Sequence, residues 1–158
     1  MKMRSQTKAR PAIKTAPTGG TFNKVRSDHA SETAEDYVEA VSDIVHRYGE
    51  CRVQHLADLM GVSHVTISRA VARLQQHRLV VTEPYKPIRL TAKGERLAAE
   101  SRRRHEIVLL FLQMLGVPDE DSQRDAEGIE HHVGKATLKC MQQYIERNAD
   151  SKQSKGTH

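Results

Sequence analysis

Cysteine is almost absent from this chain: Cys51 and Cys140 are the only two among 158 residues, far apart and in no CxxC spacing. That rules against a disulfide framework or a zinc knuckle and points to a reducing cytoplasm, with both thiols expected as small buried side chains. Long apolar runs are missing as well. The most apolar stretch, IVLLFLQMLGV from Ile107, has 11 residues, about half of the ~20 that a bilayer span needs, so no membrane partner is expected. The N-terminus lacks the continuous apolar core of a secretory signal. There is no Gly-rich phosphate loop and no nucleophile motif, which argues against an enzyme. The length itself allows one compact domain or two small modules sharing a core, not a large enzyme with separate lobes.

What the chain does have is positive charge: 25 Lys and Arg against 20 Asp and Glu, a net +5. An excess of this size suits a polyanionic partner without proving one. Part of it sits in residues 1–31, where Lys2, Arg4, Lys8, Arg10, Lys14, Lys24 and Arg26 stand among few apolar side chains. Such a segment buries too little surface to order itself and reads as a disordered basic arm.

Residues 32–98 carry the pattern of a winged helix-turn-helix. Thr33 with Glu35 and Asp36 resembles a helix start, Tyr37, Val41, Ile44 and Tyr48 recur at helical spacing, and Gly49 ends the run. QHLADLMG then offers Leu56, Leu59 and Met60 as an apolar face before Gly61. Ser63 is the expected N-cap of a second helix with Val65, Ala70, Val71 and Leu74 inward. Two β-prone runs flank a turn from Pro84 to Pro87, giving a two-stranded wing. In this arrangement the second helix reads a DNA major groove through Ser63, His64, Val65, Thr66, Ser68, Arg69 and Arg73, while Lys86 and Arg89 on the wing meet phosphate. The bland alternative is a protein-docking module on which these cations form a solvated face.

From Thr91 onward the chain reads as helical. Residues 99–148 form an all-helical domain: a long helix apolar nearly all round from Ile107 to Leu112, a helix from Glu120 to Val133, and a last one from Lys135 to about Arg147, with residues 149–158 as a disordered tail. The apolar surplus suggests a second copy of the chain, since a helix-turn-helix protein that reads a palindrome usually does so as a two-fold dimer.

Within this domain, DAEGIEHH places Glu127, Glu130 and His131 at i, i+3 and i+4, one face of a helix. Asp36 and Glu39 repeat the carboxylate pair on the first helix, and His105 lies in line with Val108, Leu112 and Leu115. All six are metal-ligand types. Each also has an ordinary explanation: dipole compensation, a satisfied core histidine, a solvated face. Spacing alone leaves open whether the three helices converge.

The winged module followed by RHEIVLLFLxxLGV and DAEGIEHHV resembles the diphtheria toxin repressor family, in its manganese-dependent transport regulator (MntR) branch, over about Glu35 to Ile145. The resemblance implies a homodimeric repressor of metal-transport genes that binds a palindromic double-stranded operator. It also implies a binuclear Mn2+ site formed by Asp36, Glu39, His105, Glu127, Glu130 and His131, with His132 outside it and Fe2+ as a second possible activator. The chain stops short of the SH3-like domain that the resemblance assigns to the iron-responsive branch. An oxygen-rich donor set suits a hard ion such as Mn2+. The alternatives are an iron-responsive regulator, a metal-independent winged-helix regulator in which the cluster is only a polar face, and, least favoured, a dinuclear metallohydrolase.

Overall fold

The computed structural model describes residues 21–153, with side chains from 33 to 148. Helix α1 spans Thr21–Tyr48, α2 Val53–Met60 and α3 His64–Gln76, followed by strands β1 Val80–Val81 and β2 Arg89–Leu90. Helix α4 (Ala92–Met114) leads to α5 (Asp119–Ile129), a 3-10 turn over Glu130–His132, and α6 (Lys135–Gln153). The fold is the expected one: mainly α, a winged helix-turn-helix with a two-stranded wing, then a helical domain.

The helix-turn-helix is built by two local signals. Gly61 takes a left-handed conformation (φ 65°) that ends α2. The Ser63 side chain then accepts the Thr66 backbone N–H at the start of α3, satisfying one of the orphan donors of a first turn. The wing is an antiparallel pair, Val80 opposite Leu90 and Val81 opposite Arg89. A further antiparallel bridge from Cys51 to Ile88 ties it to the end of α1. One core serves this half: Val38, Val41, Leu56, Ile67 and Ile88 are fully buried, together with Ala98 from α4. Helix α4 therefore belongs to both halves, and it packs on α1, α5 and α6.

Its junction with the wing depends on Gly94. A Cβ there would stand 2.1 Å from the carbonyl oxygen of Leu79, and that oxygen already accepts the Thr91 backbone N–H at 2.9 Å. Thr91 caps α4 by accepting the N–H of Gly94.

Several expectations are corrected. Helix α1 begins at Thr21, not Thr33, so residues 21–31 are helical rather than part of a disordered arm; residues 1–20 lie outside the described part. Neither proline nor glycine follows Gly20 before Gly49, and extending an existing helix costs far less than nucleating one. The same cooperativity carries α6 to Gln153, past the expected end near Arg147 and into the tail. Leu59 and Val65 are exposed, while Ala57 and Ile67 take the inward places beside Leu56 and Ala70. Tyr48, the last residue of α1, is exposed. Cys51 is buried as expected, but Cys140 on α6 is exposed. Among the described residues no helix is long and apolar enough to cross a membrane.

The long helix α4 is not covered all round within one chain. Leu110 and Leu115 are exposed, and Ile129 on α5 and Tyr144 on α6 are partly so. This leaves an apolar face on the helical half.

Candidate metal centre

Three segments meet between the two halves. Helix α1 brings Glu35, Asp36 and Glu39, α4 brings Arg104 and His105, and the end of α5 with its 3-10 turn brings Glu127, Glu130 and His131. The α-helix expected to run to Val133 gives way at Glu130 to the 3-10 turn, so the shared helix face read from the sequence holds only as far as Ile129. The two carboxylates differ in burial: the Glu130 side chain is 4% exposed and that of Glu127 72%. One lies inside, the other at the rim.

His105 Nδ1 is 2.7 Å from Glu130 Oε2 and 3.6 Å from Glu127 Oε1. Donor atoms of these three residues all lie within 4.8 Å of one another. His131 joins from the other side, its Nε2 3.5 Å from Glu130 Oε1 and 3.6 Å from Asp36 Oδ1. Both separations are too long for a hydrogen bond, yet close to the ~3 Å between neighbouring donors on one ion at bond lengths of about 2.1 Å. Five of the six expected ligands are thus brought together. Glu39, one turn along α1, is half-buried, and Asp36 feels its charge. His132 is exposed.

The electrostatics are those of a site short of positive charge. Burial pushes the Glu130 carboxyl above its usual pKa; His105 and His131 oppose this, and Glu127 adds to it. Asp36 is raised as well, again chiefly by burial, with His131 opposing and the like charges of Glu39, Glu127 and Glu35 reinforcing. Carboxylates that resist ionisation beside two imidazoles fit a divalent cation, whose charge would offset their desolvation. The donor set, oxygen-rich with two nitrogens and no sulfur, suits a hard or borderline ion.

Sequence reasoning missed Glu35. It is 8% exposed, pairs closely with Arg104, and lies 3.2 Å from His131 Nδ1. The sequence holds one hint, the arginine directly before His105, but not that it reaches a carboxylate 69 positions away.

On the winged half, Ser63, His64, Val65, Thr66, Ser68, Arg69 and Arg73 along α3, with Lys86 and Arg89 on the wing, are all exposed. Ser63 is committed to its cap and lies 3.0 Å from the Thr66 hydroxyl. Tyr85, at the tip of the wing with φ 65°, is 98% exposed.

Fold and cluster together define a winged-helix protein whose acidic and imidazole side chains bridge the helix-turn-helix half and the helical half. Comparison with known proteins agrees. Residues 91–154 match the family described as iron dependent repressor, metal binding and dimerisation domain, and residues 43–85 match the MarR family. The transcriptional regulator MntR of Escherichia coli O157:H7 is 42% identical over 127 residues, covering 80% of this chain and 82% of its own. The protein of that name from Salmonella typhimurium strain LT2 is 41% identical over 130 residues, covering 82% and 83%. This chain belongs to the MntR family of transcriptional regulators.

Among solved structures, a manganese-dependent transcriptional repressor in complex with manganese is similar at 26% identity and a TM-score of 0.62. The manganese regulator SloR is similar at 25% identity with the same TM-score. Each match covers 72% of this chain, which spans only about half of those longer chains (52% and 53%).

Proposed function

We propose that this protein is a manganese-activated, dimeric transcriptional repressor that works in the cytoplasm on genes of metal-ion transport. The observation that carries the reading is the placement of the cluster. Asp36 and Glu39 belong to the helix that enters the winged module, whereas His105, Glu127, Glu130 and His131 belong to the helical half. Asp36, Glu39, His105, Glu127, Glu130 and His131 would hold two Mn2+ ions per subunit; Fe2+, a more borderline ion, is the second candidate.

Bound metal would supply the positive charge that lets these carboxylates stay ionised and close. Without it, Asp36, Glu39, Glu127 and Glu130 repel across the junction, and the winged half is free to move against the helical half. With the repulsion cancelled, the carboxylates of α1 and of the 3-10 turn hold the halves in one arrangement. Two copies, joined through the apolar face around Leu110, Leu115 and Tyr144, then present their α3 helices at one fixed separation. That lowers the ordering cost of binding a palindromic duplex. Arg69, Arg73, Lys86 and Arg89 would meet phosphate, and His64, Val65, Thr66 and Ser68 the base edges.

Replacing Glu127 or His131 by Ala tests the assignment, because each change removes a ligand; Glu127 is exposed, and the dimer measurement controls for lost packing at the nearly enclosed His131. Both variants should stay dimeric in analytical ultracentrifugation and lose Mn2+-stimulated DNA binding. Manganese-dependent binding retained in both would overturn the site.

A further inference from the structure

His131 is the ring on which the centre turns, because its two nitrogens face different surroundings. Nε2 looks toward Asp36 and Glu130 at 3.6 and 3.5 Å. Nδ1 looks the other way, to Glu35 Oε2 at 3.2 Å. The ring is nearly enclosed, its side chain 12% exposed, so its environment dictates its orientation.

Glu35 is itself held firmly. Its Oε2, the same oxygen that faces His131, also accepts from an Arg104 amino group. The neighbouring donor is fixed in turn, since that Arg104 nitrogen lies 3.3 Å from the Oγ of Ser101, a fully buried residue. Arg104 and Ser101 lie one turn apart on α4, so the chain Ser101, Arg104, Glu35, His131 runs from one helix through a second to the 3-10 turn. A carboxylate can only accept. Carboxylates face both nitrogens, but Glu35 stands nearest, at 3.2 Å against 3.5 and 3.6 Å on the Nε2 side, so in a neutral imidazole the proton belongs on Nδ1, leaving the Nε2 lone pair for whatever binds between Asp36 and Glu130.

We propose that Glu35, anchored by Arg104, is the positioning residue of the metal centre: it holds His131 in the Nδ1–H tautomer with Nε2 turned toward the ion. The proposal rests on the reading of the cluster as a metal site. Glu35 is not itself one of the six donors. It contributes orientation and basicity, as carboxylates behind metal-bound histidines do.

The tautomer can be read in the metal-free protein. Long-range 1H–15N correlation of the labelled full chain, at a pH where the ring is neutral and with His131→Gln to assign the signal, should show the proton on Nδ1. In Glu35→Leu the proton should redistribute to Nε2, and calorimetric Mn2+ affinity should fall about 10- to 100-fold. Glu35→Gln should retain the Nδ1–H form and most of the affinity, because both bonds go to a single oxygen that an amide carbonyl can replace. A wild-type His131 carrying its proton on Nε2 would overturn the proposal without reference to any variant, and so would a folded Glu35→Leu with wild-type affinity. Failure of the metal reading would show separately, as unchanged Mn2+ affinity in His131→Ala, whatever the tautomer proves to be.

Discussion

Glu130→Gln separates the stability of the fold from the effect of the proposed metal. The side chain is 4% exposed and lies 2.7 Å from His105, and the amide keeps its volume and can keep that contact. In chelator at neutral pH the variant should be no less stable than wild type, because it removes a carboxylate whose ionisation burial already opposes. In Mn2+ the two should part. A ligand that binds only the folded state at about 100 times its Kd stabilises it by about 2.7 kcal/mol. Even an outer partner of a metal ligand is worth up to about 100-fold in affinity, and an inner donor should cost no less. At the same free Mn2+ the variant then gains only about 0.4 kcal/mol. For a chain of this size, about 2–4 °C per kcal/mol, the wild-type melting point should rise by roughly 5–11 °C and that of the variant by about 1 °C. Circular dichroism melts with chelator and with Mn2+ decide it. A full shift in Glu130→Gln would refute the placement of this carboxylate in the site.

Gly94→Ala should cost about 2 kcal/mol or more, because its Cβ would meet the Leu79 carbonyl at 2.1 Å; an unchanged thermal midpoint would show that the wing yields. Asp36 and Glu130 have folded-state pKa values above their ordinary ones, so above about pH 4 the metal-free folded chain holds more protons than the unfolded one. Their contribution is therefore favourable at low pH and lost as pH rises through the folded values. In chelator, wild type should lose stability relative to the Asp36→Asn, Glu130→Gln double variant as pH is raised, and parallel profiles would contradict the burial argument. DNA affinity should fall steeply with salt, the slope easing by roughly one for each of Arg69, Arg73, Lys86 or Arg89 replaced by Ala; an unchanged slope in the fourfold variant would remove these cations from the interface.

The helix-turn-helix was legible because its signals are local. Gly61 must turn left-handed and Ser63 must cap whatever surrounds them, so both were readable in isolation. Which residues of those helices face inward was less so. Val65 and Ile67 are both β-branched and two positions apart, and only the packing of α3 on α2 and the wing selects Ile67. Thr33 followed by acids resembles a cap, but a helix that already runs from Thr21 has no need of one. In the candidate metal centre, residue types and spacing single out candidate donors, but their convergence depends on how α1 packs on α4 and how α5 tightens at Glu130. Glu35 shows the limit most clearly. A glutamate next to Asp36 looks like another surface acid, and what buries it is an arginine 69 residues away.

If metal in this cluster switches on DNA binding, one titration can follow both. A duplex selected from a random pool in the presence of Mn2+ is labelled, and its fluorescence anisotropy is followed with the 158-residue chain in chelator, in Mn2+ and, anaerobically, in Fe2+. Tight binding should appear with Mn2+, to a weaker or equal degree with Fe2+, and collapse to non-specific affinity in chelator. Equal affinity for the selected duplex in chelator and in Mn2+ would contradict metal activation and leave the cluster as a polar junction in a metal-independent regulator.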